Sequence, residues 1–201
     1  MNRIHACLAV FLLACGPGTP DEGHADEVGD SETETGIPPD MLSDSDKSEL
    51  DAISGELQQI AEAAVAWFEA SEPPHGCPHH PGNPEGNSSD FTPSINISCH
   101  LGPEHRCIPV SGGGPAGYYP SEEWTENPIW AAIGFEKTGP HAFHYLFEAH
   151  NDLEGYGACT FTVQARADLD GDDILSTYTI LGSIDANGAQ VEPLEIFDPY
   201  E

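Results

Sequence analysis

Two segments of this chain concentrate side chains that bind metal ions. H-G-C-P-H-H and S-C-H-L-G-P-E-H-R-C place His75, Cys77, His79, His80, Cys99, His100, His105 and Cys107 within 33 residues. Thiolate and imidazole are ligands of zinc and copper, so this stretch is a candidate site for either metal. It contains no C-x-x-C knuckle and no H-E-x-x-H helix. Cysteines that reach an oxidising compartment pair with one another, so disulfides with bystander histidines are favoured over a histidine-only site or a thiolate zinc site.

The second segment is A-R-A-D-L-D-G-D-D-I-L-S-T-Y, with Asp168, Asp170, Asp172 and Asp173 inside six residues. Counted as a twelve-position calcium loop from Asp168, it puts Asp170 third, Asp172 fifth, the Ile174 carbonyl seventh and Ser176 ninth. The twelfth position holds Thr179 where a bidentate acid belongs, and the sixth holds Asp173 in place of glycine. A loop so incomplete binds weakly: at millimolar calcium and extracellular-type affinities it contributes about 0.4 to 1.4 kcal/mol. The competing reading is a hairpin turn built around Gly171, without a specific ion, and that reading is preferred. No cofactor is required, and calcium is the candidate ligand.

Other catalytic signatures are missing. No G-x-S-x-G occurs, and S-G-G-G-P-A-G (Ser111 to Gly117) lacks the lysine of a phosphate loop. His144 and His150 stand six residues apart on one strand face, about 20 Å if extended, so they do not share an ion and are expected to be exposed. Enzymatic activity is not expected.

Charge excludes whole classes of partner. The chain carries 35 acidic residues and 5 basic ones, Arg3, Lys47, Arg106, Lys137 and Arg166. Nucleic acid needs a cationic surface to release counterions, and anionic headgroups repel such a chain. Membrane attachment would therefore need a covalent lipid.

The N-terminus supplies a candidate for one. M-N-R-I-H-A-C-L-A-V-F-L-L-A-C-G has a basic residue followed by an apolar run too short to span a bilayer. Leu12-Leu13-Ala14-Cys15 resembles the lipobox of a bacterial lipoprotein signal peptide. The resemblance implies cleavage before Cys15 (residues 1–14 removed) and a lipid on the Cys15 thiol. Gly16, where inner-membrane retention would use Asp, implies an outer-membrane or cell-surface location. Cys77, Cys99, Cys107 and Cys159 then remain, an even set pointing to two disulfides with three connectivities. If Cys99 pairs with Cys107 and Cys77 with Cys159, loop closure gives roughly 2.5 and 4.5 kcal/mol in the chain-entropy account.

Residues 15–44 are rich in Pro, Gly, Thr, Ser, Asp and Glu and have no apolar period, which predicts a disordered, self-repelling tether. From residue 45 the character changes. Leu50, Ile53, Leu57, Ile60, Ala61, Ala64, Val65 and Phe68 recur every three or four residues, predicting an amphipathic helix that ends at Pro73-Pro74. Asp46 and Glu49 have capping-box spacing at its start. The Pro-, Gly- and His-rich stretch that follows is long for a compact domain, and disulfides are expected to order it. Strand alternation then sets in, clearest in C-T-F-T-V-Q-A-R-A, where Cys159, Phe161, Val163 and Ala165 oppose Thr160, Thr162, Gln164 and Arg166. The expected fold is α+β: a long amphipathic helix on a roughly four-stranded antiparallel sheet, residues 45–201, with a long disulfide-tied loop region between them.

The runs I-W-A-A-I-G-F-E-K-T-G-P-H-A-F-H-Y and F-T-V-Q-A-R-A-D-L-D-G-D-D-I-L-S-T-Y-T-I resemble the headgroup of bacterial type IV pilin-like proteins. That resemblance implies a helix packed on a four-stranded antiparallel sheet, with the aspartates in a hairpin. It does not imply assembly, because the apolar helical half that forms a filament core is replaced here by the acidic spacer. The expected role is structural or interactive at the cell envelope, with a protein or surface polymer as partner. The alternative is an envelope metal-binding protein using residues 75–107.

Overall fold

The apolar stripe organises the domain. In a computed structural model that describes residues 42–73, 75–83, 86–152, 154 and 156–198, helix α1 runs from Asp44 to Ala70. Ile53, Leu57, Ile60, Ala61, Ala64 and Phe68 are all buried, at one face of the 3.6-residue period. Its capping box lies one turn earlier than the spacing predicts. The Ser43 side chain accepts from Asp46 N at 3.1 Å, and the Asp46 carboxylate accepts from Ser43 N at 3.2 Å. Glu49 is left free for a partner elsewhere in the fold. The leader, Cys15 and most of the tether lie outside the described residues.

Three long strands form the middle of the sheet. After β1 (Gly86–Ser88), β2 (Ile108–Val110) and β3 (Tyr118–Pro120) come the short helices α2 (Glu122–Thr125) and α3 (Pro128–Ile133). Then β4 (His144–Asp152), β5 (Ala158–Ala167) and β6 (Ser176–Asp185) follow as an antiparallel meander, with β7 (Gly188–Val191) and β8 (Glu195–Phe197) last. The sheet order is β1-β4-β5-β6-β7, and β8 also pairs with β6, below β7 on the same edge. This is an α+β domain with an antiparallel sheet, wider than the four strands expected because β1 and β8 are three-residue edges without an alternating pattern. The pair β2-β3 stands apart.

Alternation decides which face is buried. Tyr145, Phe147, Phe161, Val163, Tyr178 and Ile180 point inward, where α1 packs over β5 and β6. Alternation puts position 182 on that inner face too, and glycine fits there because the Phe161 ring occupies the space a Cβ would need. Tyr119, Trp124, Trp130 and Phe135 extend the core beside Tyr145.

Two disulfides tie the irregular segments to this frame: Cys77 to Cys159 on β5, and Cys99 to Cys107. The first is reinforced by buried Asn151 of β4, whose Oδ1 accepts from Cys77 N at 2.8 Å and whose Nδ2 donates to Cys77 O at 3.3 Å. Among the described residues no helix is long and apolar enough to cross a membrane.

Candidate functional site

The outer face of the sheet is divided into a covered end and an open end. At the covered end the chain after β1 stays beside β4, with Ser89 N donating to Phe147 O and Thr92 N to Tyr145 O, each at 2.8 Å. It then folds over His144, while the Phe91 ring lies 4.9 Å from the Arg166 guanidinium carbon. His144, expected to be exposed, is 4% exposed as a result.

Under that cover His144 meets the short disulfide. Its Nδ1–H donates to the Pro93 carbonyl at 2.9 Å, because a carbonyl only accepts. Nε2 therefore carries the lone pair, and it lies 3.4 Å from Cys99 Sγ. Burial pushes the His144 pKa down, which keeps the ring neutral. The ligand atoms of Cys99, Cys107 and His144 all lie within 4.8 Å of one another.

The remaining histidines of the Cys/His-rich stretch make separate local contacts, and buried His100 Nδ1 has no hydrogen-bond partner among the described residues. His75 stacks between Phe68 and Tyr156 and hydrogen-bonds Phe68 O at 3.0 Å. His79 reaches Cys77 O at 2.8 Å and His80 reaches Ser88 O at 3.1 Å. His105 bonds His100 O and stacks on the His100 ring. Of the eight residues of the zinc or copper set, only Cys99 and Cys107 share a three-ligand grouping among the described residues, and its third member is His144, a residue outside that set. No local signal marks His144: its cover arrives from Pro93, 51 residues upstream.

The aspartate segment is the turn between β5 and β6. Asp168, Asp170 and Asp172 each bring a carboxylate oxygen within 4.8 Å of the others. Their oxygens accept backbone hydrogen bonds within the turn: Asp168 from Gly171 N at 2.6 Å and Asp173 N at 3.3 Å, Asp170 from Asp172 N at 3.2 Å, and Asp172 from Ile174 N at 2.8 Å. Gly171 has φ 84° and packs against His100, so a side chain there is excluded twice. Burial, then the neighbouring carboxylates, raise the Asp170 pKa. Ser176, the ninth-position candidate, is fully buried at the start of β6, and Ile174 is exposed.

Cations are few and two of them hold α1. Buried Arg106 reaches Asp46 at 2.6 Å and Glu49 at 2.9 Å, and Lys137 reaches Glu56 at 2.6 Å. The Glu49 carboxylate also accepts from Ala142 N at 2.7 Å. Burial raises the Glu49 pKa, whereas Asp46, despite burial, is held low by bonds from Ser43 and Arg106. Deeper, Trp124 Nε1–H donates to Tyr119 Oη, Tyr119 O–H to His141 Nε2, both at 2.7 Å, and His141 Nδ1–H to Phe143 O at 2.8 Å. Every member of this chain has a partner, so it fixes the core without offering a reactive group to solvent.

At its open end the outer face is a shallow groove of about 670 Å³. Two cross-strand rows line it: Glu148, Thr162 and Leu181, then His150, Thr160 and Ser183. Strand spacing sets successive side chains in a row about 4.8 Å apart. The surface is thus flat and rich in hydroxyls, with Leu181 42% exposed and Glu192 at the rim.

No protein-family model matches this chain, and neither a curated protein nor a solved structure matches it.

Proposed function

We propose that this protein is a non-catalytic envelope lipoprotein, lipidated at Cys15, that displays a pilin-like α+β domain for contact with a partner protein or surface polymer. The observation carrying this reading is the open half of the sheet's outer face. Helix α1 covers the inner face, and the segment around Pro93 and Phe91 covers one end of the outer face. The rows Glu148-Thr162-Leu181 and His150-Thr160-Ser183 remain accessible. A broad shallow surface with paired hydroxyls suits an extended partner better than a small molecule, which prefers an enclosed apolar pocket.

Three further features support it. Two disulfides suit an oxidising compartment. The formal net charge of -30 disfavours anionic partners and keeps a displayed domain soluble. The leader resembles a lipoprotein signal, which would put the acidic segment between anchor and domain. A role accessory to a pilus or another surface structure follows from the pilin-like resemblance. Calcium at Asp168, Asp170 and Asp172 would act only as a weak brace for the turn.

The test uses the mature chain with Cys15→Ser, its disulfides intact, added to envelopes from cells lacking the protein. Saturable retention is expected, and Thr162→Lys combined with Leu181→Arg is expected to abolish it without changing the melting temperature. Retention that is absent, or identical in the double variant, contradicts the reading.

A further inference from the structure

The Cys99–Cys107 disulfide is packed against a histidine that is already set up as a ligand. His144 Nδ1–H is committed to the Pro93 carbonyl, so Nε2 faces Cys99 Sγ at 3.4 Å with its lone pair free. Neither a disulfide sulfur nor the bare Nε2 has a proton to donate, so the contact is not a hydrogen bond in the oxidised protein. Cys99, Cys107 and His144 are 5%, 0% and 4% exposed.

We propose that reduction of Cys99–Cys107 converts this corner into a zinc site, with both thiolates and His144 Nε2 as ligands and a fourth position for water. Tetrahedral zinc with bonds of about 2.3 Å to sulfur and 2.0–2.1 Å to nitrogen sets a sulfur–nitrogen edge of about 3.5 Å. The Cys99–His144 separation of 3.4 Å matches that edge. The two sulfurs, bonded at about 2 Å in any disulfide, must part to about 3.8 Å, the other edge of the same tetrahedron. That separation needs side-chain rotation at the two cysteines, and the intervening Leu101, Pro103, Glu104 and His105 are exposed side chains outside the core.

The chemistry balances. An external reductant, a dithiol or a phosphine with water, supplies two electrons and two protons. The S–S bond breaks, two S–H bonds form, and the reductant becomes a disulfide or a phosphine oxide. Zinc then displaces both thiol protons to water, and His144 gives its lone pair without exchanging a proton. Two thiolates cancel the charge of Zn²⁺, so the buried site ends neutral, which removes the main cost of placing an ion there. The Nδ1–H bond to Pro93 O is the outer contact that orients a metal-bound imidazole. This site is distinct from the open sheet face, and the displayed, oxidised form has it closed.

The mature chain is reduced with a phosphine, freed of reductant without oxygen, and titrated with zinc against a chromophoric chelator, and separately with cobalt. One zinc per reduced chain is expected, with a thiolate-to-cobalt charge-transfer band and no uptake by the oxidised chain. Zinc is expected to protect Cys99 and Cys107 from alkylation while Cys77 and Cys159 still react. His144→Ala is expected to weaken binding more than about tenfold. The proposal is overturned if the reduced wild-type chain takes up no zinc, if protection falls on Cys77 and Cys159, or if the His144 variant keeps full affinity. The wild-type titration and footprint stand even where a variant fails to fold.

Discussion

Arg106 Nε donates to Glu49 Oε1 at 2.9 Å, and this pair fastens the loop closed by Cys99 and Cys107 to the first turns of α1. With Asp46 at 2.6 Å, the guanidinium serves two carboxylates while itself only 5% exposed. Removing it leaves both acids part-buried without the cation that bridges them, Glu49 keeping only the field of Lys137. Arg106→Met is expected to lower unfolding free energy by about 2 to 3 kcal/mol, less than for a fully desolvated pair because the acids keep some contact with water. Urea denaturation checks this. Arg106→Lys, which keeps the charge but loses the fork, should fall between the two.

His141 gives the domain a direction of pH dependence. Burial, above all, depresses its pKa to about 3 from the ordinary 6.5. Unfolded chains therefore bind a proton between pH 6.5 and 3 that the folded chain refuses, so its contribution is complete above pH 6.5 and is lost as pH falls through that window. His144 acts with the same sign, while Glu49, raised by burial, partly offsets it. Asp46, held low, adds to the loss at the acid end. Stability measured by urea at several pH values should decline across this range. His141→Gln should start lower at neutral pH and decline less steeply; an unchanged slope would contradict this assignment.

Gly182 is predicted to reject even a methyl group. Glycine to alanine in a strand interior ordinarily gains about 0.5 to 1 kcal/mol, but here the added carbon meets the Phe161 ring. Gly182→Ala should destabilise by about 1 to 3 kcal/mol, the usual cost of overpacking. In the Phe161→Leu background the penalty should shrink, and a double-mutant cycle by thermal melting measures the coupling.

The aspartate turn is held chiefly by its own backbone bonds to Asp168, Asp170 and Asp172. Millimolar calcium is expected to add no more than about 1.4 kcal/mol to stability. Asp168→Ala, which removes the acceptor for both Gly171 N and Asp173 N, should cost about 1 kcal/mol without calcium. A larger calcium shift, lost in that variant, would reveal a tighter site than three carboxylates suggest.

What the sequence discloses here depends on how far apart the interacting residues lie. The spacing of Ile53, Leu57, Ile60, Ala64 and Phe68, and the alternation of Cys159, Phe161, Val163 and Ala165, are local patterns, and those residues are the buried ones. The α+β class and the hairpin position of the aspartates follow from such patterns. Pairings across the chain do not. Asp46 and Glu49 have capping spacing, yet the cap is Ser43 with Asp46, and Glu49 turns to Arg106 and Ala142. His144 occupies an outward strand position that alternation reads as wet, and only the segment around Pro93 makes it dry. The eight-residue metal set is dispersed for the same reason: His75, His79 and His80 are close in sequence, yet each holds a different backbone carbonyl with one ring nitrogen, and among the described residues only Cys99 and Cys107 of the set share a three-ligand grouping.

The most direct test of the central claim, a lipid-anchored display domain with its thiols closed, is intact-mass spectrometry of the unreduced protein from its native cell. The expected mass is that of a chain beginning at Cys15, carrying lipid on that residue, with Cys77–Cys159 and Cys99–Cys107 both closed. A chain that keeps residues 1–14, or that carries no lipid, or that shows free thiols at Cys99 and Cys107, would contradict it.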